Sequence, residues 1–288
     1  MNRVFLGVLA LSAGGWGWEK PRTPAAPPRA TVTLSDAEQE EFLLEASVVA
    51  RRSAPGGRTL STRATLRRGD LVHDAHVQTH DEYKSQLSLA TSMELDFRDS
   101  WRNNVAAYRL DRLLDLGMVP VTVVRRDEGK MASFTWWVDD VLMTEKERYE
   151  RKVSAPDVEA WNQQIFVVRV FDQLIYNFDR NLGNLLIDED WRLWMIDHTR
   201  AFKVFKELRS EKSLPERCEK DLLAAMRGLD RPAVEAAMEG LLSGAQTDGL
   251  LARRDAIVRR YEQDIATRGE SAVLYDLPPR PLEVVASR

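Results

Sequence analysis

The strongest constraint on the fold is a short hairpin flanked by oxygen-bearing side chains. Residues 185–187 and 191–196 have the pattern of two short strands joined by an acidic turn. Asn184 precedes the first strand and Asp197 follows the second, so pairing of the strands brings these two side chains together. Asp179 lies five residues before Asn184, at the end of a stretch with helical apolar spacing. The sequence therefore predicts that three oxygen donors or bases converge on one point.

Hard oxygen donors of this kind suit Mg²⁺, which takes one or two protein ligands and otherwise binds water and substrate phosphates. The protein-kinase catalytic loop places an aspartate five residues before a metal-binding asparagine, and a metal-binding aspartate follows after a hairpin. Asp179, Asn184 and Asp197 have this arrangement. Taken singly, each also has a structural interpretation: a helix cap, a loop contact, or an ion pair with Arg200. Their joint occurrence favours phosphoryl transfer.

Several motifs resemble those of the atypical kinases of the phosphatidylinositol 3-/4-kinase-like superfamily. Their shared D-R-N/H-x-x-N motif corresponds to 179–184, and their I-D motif corresponds to 196–197. The stretches N-L-G-N-L-L-I, M-I-D-H-T-R-A-F and A-A-Y-R-L-D-R-L-L are similar to the bacterial and secretory-pathway branches, and they lie at 181–187, 195–202 and 106–114. The resemblance extends over most of the folded chain.

This resemblance implies a role for each matching residue. Asp179 would orient or deprotonate the acceptor hydroxyl, with Arg180 beside it, while Asn184 and Asp197 would hold Mg²⁺ or Mn²⁺ on the phosphates of ATP. Asn181 and His198 would not contact the substrate but would help to position these residues.

The phosphate clamp departs from the pattern of similar kinases. Kinases pair a strand lysine with a helix glutamate, and the lysine contacts the α- and β-phosphates. The matching positions here are Gln78 and Asn104, so the ion pair is expected to be missing. Lys84, six residues after Gln78, is a candidate replacement for the lysine, although it is equally well explained as a surface charge. Gly56 and Gly57 could let backbone amides approach the phosphates.

The chain before the hairpin predicts a small lobe built on an antiparallel sheet. Five stretches have strand-like composition, and turn signals separate neighbours within each group. The predicted strands are 47–52, 58–68, 71–79, 119–124 and 131–138. The polar, non-periodic stretch 81–97 is expected to be a loop.

Helices are predicted from apolar spacing and end signals. One main helix of the first lobe covers 101–116 and stops at Gly117. A capping box, in which Glu38 follows Ser35 by three residues, opens a short helix before the first strand. After residue 140 the pattern becomes mainly helical, and the predicted helices are 156–176, 216–229, 232–242 and 247–268.

The expected architecture is α+β and two-lobed, like a protein kinase, with an antiparallel N-lobe at 31–140 and a larger helical C-lobe at 141–274. Residues 1–18 combine one arginine with a short apolar stretch, the layout of a signal peptide, but a clean cleavage site is missing. Residues 19–30 are proline-rich and predict a linker. The tail, 275–288, is expected to be frayed or strapped down. Export and a cytoplasmic location stay equally open.

Charge and cysteine content exclude several classes of protein. The 41 Lys and Arg against 45 Asp and Glu give a formal charge of -4, so no basic excess favours nucleic acid as a partner. One cysteine excludes an intramolecular disulfide framework and a cysteine-rich zinc module. The apolar stretch near the N-terminus is too short to cross a bilayer, so no transmembrane segment is expected.

The leading hypothesis is an ATP- and Mg²⁺-dependent kinase that transfers the γ-phosphoryl group to a hydroxyl of a protein, lipid or small molecule. Two alternatives stay open at this point. The first is a pseudokinase that binds nucleotide or a partner as a scaffold, motivated by Gln78 and Asn104. The second is nucleotidyl transfer, because a rearranged phosphate clamp could present the α-phosphate.

Overall fold

The computed structural model of the chain describes residues 31–53, 61–88, 93–177, 179–278, 280 and 284–287. The possible signal segment, the proline-rich linker and both glycines of the predicted phosphate loop, Gly56 and Gly57, lie outside these residues. Within the described ranges, none of the helices combines the length and apolar character that a bilayer crossing requires.

The first half of the described chain contains a five-stranded antiparallel sheet, a separate hairpin and two helices. In chain order its elements are β1 (Thr31–Leu34), α1 (Asp36–Glu45), β2 (Ser47–Ser53), β3 (Ser61–Arg68), β4 (Leu71–Gln78), β5 (Asp81–Ser88), β6 (Met93–Ser100), α2 (Trp101–Leu113), β7 (Thr122–Asp127) and β8 (Lys130–Trp136). The sheet order is β2-β3-β4-β8-β7, and all of its pairs are antiparallel. We call this sheet, with α1 and α2, the sheet lobe.

Alternating side chains of the sheet form one side of the core. Buried residues alternate along the inner part of β3, β4 and β8, and they include Leu66, Val77 and Phe134. Helix α1 contributes Phe42 and α2 contributes Leu110 to the same core. The five predicted strands and the main helix of this lobe are therefore confirmed.

Helix ends follow the predicted local signals. The Ser35 side chain accepts a hydrogen bond from the Glu38 amide, and the Glu38 carboxylate accepts one from the Ser35 amide at 2.8 Å, which completes the capping box. The Ser100 hydroxyl caps α2 by accepting the backbone amide of Arg102 at 3.2 Å. Helix α2 ends at Leu113, earlier than predicted, because the chain turns through left-handed residues at Asp115 and Gly117.

The loop prediction for 81–97 is wrong, because this stretch forms most of a β-hairpin. Strands β5 and β6 pair with each other in a separate two-stranded sheet, and β6 runs directly into α2. The hairpin attaches to the molecule through charged side chains: Glu94 binds Arg200, and Asp96 binds the amide of Val204. Such strands lack apolar alternation, so hydrophobic periodicity could not reveal them.

The second half is mainly helical. Its elements in chain order are β9 (Val141–Thr144), α3 (Glu145–Arg151), α4 (Val158–Leu174), β10 (Leu185–Asp188), β11 (Leu193–Met195), β12 (Cys218–Glu219), α5 (Lys220–Gly228), α6 (Arg231–Ala237), α7 (Gly244–Arg268), α8 (Glu270–Val273), β13 (Leu274–Tyr275) and β14 (Val284–Ser287). We call α3 to α7 the helical lobe. The predicted hairpin and all four predicted helices are present, whereas β9 and α3 were not predicted.

The hairpin β10–β11 stands between the two lobes. It pairs as predicted, with Leu185 opposite Met195, and β9 adds a third strand on the β10 side. The amide of Met195 donates to the carbonyl oxygen of Met118, just after α2, at 2.8 Å. The amide of Leu193 donates to the side-chain oxygen of Gln164 on α4 at 2.9 Å, so the hairpin is attached to α4 as well as to the sheet lobe.

The C-terminal tail is strapped across the molecule. Strand β13 pairs with β12 in parallel, and the guanidinium of Arg280 donates to the carbonyl oxygen of Leu193 at 2.5 Å. Strand β14 then pairs with β1, with Thr31 opposite Ser287. Both ends of the described chain therefore meet in one ribbon.

Candidate active site

The loop that carries Asp179 is shaped by hydrogen bonds behind it. Asn177 donates its backbone amide to the Asp172 carbonyl at 2.8 Å and its side-chain amide to the Asp172 carboxylate at 2.9 Å. The side-chain oxygen of Asn177 in turn accepts the amide of Asp179 at 3.2 Å. The loop is thus fixed to the end of α4, while the Asp179 residue itself is exposed.

Arg180 connects three parts of the site. Its guanidinium pairs with Asp172 on α4, with a closest Nε–Oδ2 distance of 3.0 Å. It also donates to the carbonyl oxygens of Asn184, at 3.2 Å, and Ile196, at 2.7 Å. These carbonyls belong to one candidate metal ligand and to the residue before the other. Through these bonds Arg180 holds Asn184 and the residue before Asp197 in place relative to α4.

Asn184 and Asp197 lie side by side. Asn184 ends a 3₁₀ turn, Leu182–Asn184, which Asn181 caps by accepting the Gly183 amide at 2.9 Å. The side-chain Nδ2 of Asn184 stands 3.4 Å from Oδ2 of Asp197. Pairing of β10 with β11 brings them together, since Asn184 precedes one strand and Asp197 follows the other.

The electrostatic setting of Asp197 leaves its carboxylate available. Asp197 is exposed and sits in the left-handed region, with φ of 56°. Arg200, the alternative partner suggested by the sequence, pairs with Glu94 at 2.5 Å instead. Within the described ranges no three His, Cys, Asp or Glu side chains converge as a metal cluster. A metal ion at this position would have few protein ligands, and Mg²⁺ is usually bound in this way, with water and substrate phosphates as its other ligands.

Gln78 and Asn104, the residues expected to match the lysine–glutamate pair of kinases, form a neutral pair. Asn104 on α2 donates its side-chain amide to Oε1 of Gln78 on β4 at 2.9 Å, and both residues are buried. The side-chain oxygen of Asn104 accepts the backbone amide of His198 at 2.8 Å. A chain of two hydrogen bonds therefore joins β4, through α2, to the residue after Asp197.

Two histidines near these hydrogen bonds, His198 and His76, have lowered pKa values. His198 is fully buried and packs edge-on against Phe171, and burial, with a smaller effect of Arg180, holds its pKa well below its usual range. Burial also lowers the pKa of His76 on β4, while the negative charge of Asp197 opposes that shift. Both imidazoles are therefore neutral at physiological pH.

The other predicted nucleotide contacts have partners of their own. Lys84 lies on β5, half exposed, with its ammonium 2.6 Å from the Glu82 carboxylate. Trp136 on β8 is buried and stacks on His73 at 3.7 Å between ring centres. This places Trp136 in the core. Trp137 is less buried and receives the guanidinium of Arg63 on its ring at 3.8 Å.

Sequence reasoning missed the residues that hold the site from behind. Asp172 anchors both Asn177 and Arg180, and Asn103 donates to the carbonyl oxygens of Thr199 and Ala201. A polar residue on an otherwise apolar helix face was the available signal for Asp172. Nothing in the local sequence identifies the partners of Asn103, because they lie almost a hundred residues away.

Comparisons with known proteins give a structural match without a sequence match. No protein-family model matches the chain, and no curated protein matches it. The structure is similar to that of hydra Fam20 solved with sugar, with a TM-score of 0.64 and 14% identity over 83% of this chain and 92% of that one. It is also similar to the Golgi casein kinase solved with Mn/ADP bound, with a TM-score of 0.62 and 13% identity over 85% of this chain and 80% of that one. At this level of identity the likeness establishes the fold, and the fold is kinase-like.

Proposed function

We propose that this protein is an ATP- and Mg²⁺-dependent phosphotransferase that moves the γ-phosphoryl group of ATP to a hydroxyl of a protein, lipid or small molecule. The observation that carries the proposal is the 3.4 Å approach of Asn184 to Asp197, with the exposed Asp179 on the same loop. We assign the protein to the atypical, phosphatidylinositol 3-/4-kinase-like group on the motifs at 179–184 and 196–197.

The donor set fits a hard divalent cation. Asn184 and Asp197 would hold Mg²⁺ or Mn²⁺ through oxygen atoms, and no lysine or arginine of the described chain forms an ion pair with Asp197. The bound cation would offset negative charge on the nucleotide phosphates. The Golgi casein kinase, which shares the fold, was solved with Mn/ADP, and this supports the choice of ligand.

Asp179 would act on the acceptor. Its amide is fixed by Asn177, so the exposed carboxylate projects from an anchored loop. It would accept a hydrogen bond from the acceptor hydroxyl and take its proton as the hydroxyl oxygen attacks the γ-phosphorus, while the bond from that phosphorus to the oxygen of the leaving ADP breaks. Arg180 would keep this loop in register with Asn184 and Ile196.

The nucleotide contact is proposed to be partly neutral. The side-chain oxygen of Gln78 accepts a hydrogen bond from Asn104, and its side-chain NH₂ group would donate to a phosphate oxygen. Lys84 is the proposed charged contact, which requires its ammonium to leave Glu82. Gly56 and Gly57 are proposed to bring backbone amides to the phosphates.

The same neutral pair favours a second candidate function. A pseudokinase scaffold would keep the fold and bind nucleotide or a partner without transfer, and the missing lysine–glutamate pair is the observation that supports it. Nucleotidyl transfer is the third candidate, since a changed clamp could present the α-phosphate.

One experiment distinguishes these functions. Purified protein is incubated with γ-labelled or α-labelled ATP and with Mg²⁺ or Mn²⁺, and label is followed in the protein, in added hydroxyl acceptors and in released nucleotide. We expect transfer of the γ-label, and we expect Asp197→Ala to abolish both transfer and the metal-dependent thermal stabilisation by ATP.

Each alternative has its own outcome. Transfer of α-label identifies a nucleotidyltransferase, whereas nucleotide binding without transfer identifies the scaffold. Equal Mg²⁺-dependent stabilisation of the parent and of Asp197→Ala would contradict the metal assignment.

A further inference from the structure

The residues that follow Asp197 are held by one continuous stretch of the chain, which runs from the start of β6 into the first turn of α2. We call residues 198–204 the 198–204 segment. At its start, the amide of His198 is bound by Asn104. The carbonyl oxygen of Thr199 accepts from the Ser100 amide at 3.1 Å and from the Asn103 side chain at 2.8 Å. These bonds fix the segment from the α2 side.

Glu94 on β6 makes the charged part of this attachment. Its carboxylate binds the ammonium of Lys203 at 2.5 Å through one oxygen and the guanidinium of Arg200 at 2.5 Å through the other. Glu94 is 7% exposed and Lys203 only 1%. Burial alone would raise the pKa of Glu94, but the bonds from Lys203 and Arg200 outweigh it and the pKa is lowered. Glu94 is therefore ionised and paired with two cations of the segment.

Neighbours of Glu94 complete the attachment at the far end. The Lys203 ammonium also donates to the Leu95 carbonyl oxygen at 3.2 Å, and the Asp96 carboxylate accepts the Val204 amide at 3.0 Å. At the near end, the Thr199 hydroxyl donates to Oδ1 of Asp197 at 3.2 Å. The segment therefore connects the acidic end of the hairpin to the candidate metal ligand.

We propose that Glu94 is a positioning residue for Asp197, which it holds in place through the 198–204 segment. The importance of Asp197 rests on the proposed function, whereas the contacts of Glu94 do not. In many kinases a phosphate group that pairs with arginine orders the loop after the metal ligand. Here an acidic side chain of the β5–β6 hairpin supplies the negative charge. The β5–β6 hairpin thus belongs to the site, although no hydrogen bond of the described residues joins it to Asn184 or Asp197, the candidate metal ligands.

The test measures local order and metal binding in the full chain. Glu94→Gln removes the charge, and hydrogen–deuterium exchange follows the peptide that contains 198–204. We expect amide exchange in this peptide to rise about tenfold or more, and the Mg²⁺ concentration for half-maximal ATP stabilisation to rise by a similar factor. Because Glu94→Gln removes the negative charge beside a buried ammonium and can lower the folding yield, Glu94→Asp is measured beside it. Its shorter side chain keeps the charge but cannot reach both cations, and we expect the same changes at smaller size.

Asp127→Asn is the matched control. Asp127 is comparably buried and binds Arg51 at 3.1 Å, so its substitution also removes a carboxylate from a partly buried ion pair. We expect general destabilisation without faster exchange at 198–204. Unchanged exchange in both Glu94 variants, or faster exchange with unchanged metal affinity, would overturn the proposal. A parent protein that shows no metal-dependent nucleotide binding would contradict the proposed function instead, and the exchange data would still decide whether Glu94 holds the segment.

Discussion

At the scale of single residues, Asp179 separates chemistry from nucleotide binding. Asp179→Asn keeps the size of the side chain but removes the base, and the anchoring bond to Asn177 uses the backbone amide, which is unchanged. We expect ATP affinity to stay within about threefold while turnover falls by at least about a hundredfold. Calorimetric titration and steady-state rates measure the two quantities. Retained turnover would remove Asp179 from the mechanism.

Lys84 is the residue that would give the phosphate contact a positive charge. If its ammonium exchanges Glu82 for the nucleotide, Lys84→Ala should weaken ATP binding about tenfold or more, because a charge-assisted bond is lost. Glu82→Gln is the paired control, since it releases the ammonium and should leave ATP affinity equal or higher. An unchanged affinity in Lys84→Ala would assign the contact to Gln78 without Lys84.

At the scale of elements, α7 approaches the 198–204 segment closely enough to require a glycine. A Cβ atom at Gly249 would lie 2.9 Å from the carbonyl oxygens of Val204 and Phe205, and at the same distance from the Arg253 guanidinium. Arg253 is itself buried and donates to the Lys203 carbonyl at 3.2 Å. Helix α7 thus contacts the end of the segment at Lys203 and Val204.

Gly249→Ala should therefore destabilise the protein, although alanine favours a helix over glycine by about 1 kcal/mol. The clash involves backbone atoms that cannot rotate away, and we expect a net loss of about 1 to 3 kcal/mol. Gly244→Ala, in the first turn of the same helix with open space around it, is the control and should be neutral or stabilising. Urea denaturation measures both variants. Equal free energies of unfolding for Gly249→Ala and Gly244→Ala would show that the backbone at Val204 and Phe205 moves aside without loss of stability.

At the scale of the whole molecule, the single cysteine reports on opening of the helical lobe. Cys218 lies on β12, fully buried beneath the strapped tail, and burial, followed by the charge of Glu219, raises the pKa of its thiol. A thiolate is the reactive form, so the native protein should resist alkylation. We expect iodoacetamide labelling at pH 8 to be at least about a hundredfold slower than for free cysteine.

Mass spectrometry after timed labelling checks this expectation. The rate should approach that of free cysteine in denaturant, and saturating Mg²⁺ and ATP should slow it further in the parent, because ligand binding disfavours opening. Rapid labelling of the native protein would mean that the tail and β12 open readily.

The sequence by itself determined the features that depend on near neighbours. The Ser35 cap, the β7–β8 hairpin and the β10–β11 hairpin follow from signals within a few residues, and all are present. The adjacency of Asn184 and Asp197 belongs to this class, since a single tight hairpin brings them together. The two-lobed α+β architecture followed from these elements together with the motif resemblance.

Only the tertiary structure decided which distant polar groups meet. Gln78 and Asn104 could be identified as departures from the expected pair, but their hydrogen bond, and the further bond to His198, depend on how α2 lies against β4. Glu94 and Lys203 are 109 residues apart, and Glu94 sits in a stretch whose polar composition predicted a loop. Apolar periodicity reports which face of an element is buried, because burial of apolar surface is non-directional. Hydrogen bonds and ion pairs are directional and need a specific partner at a specific distance, so local composition does not reveal the partner.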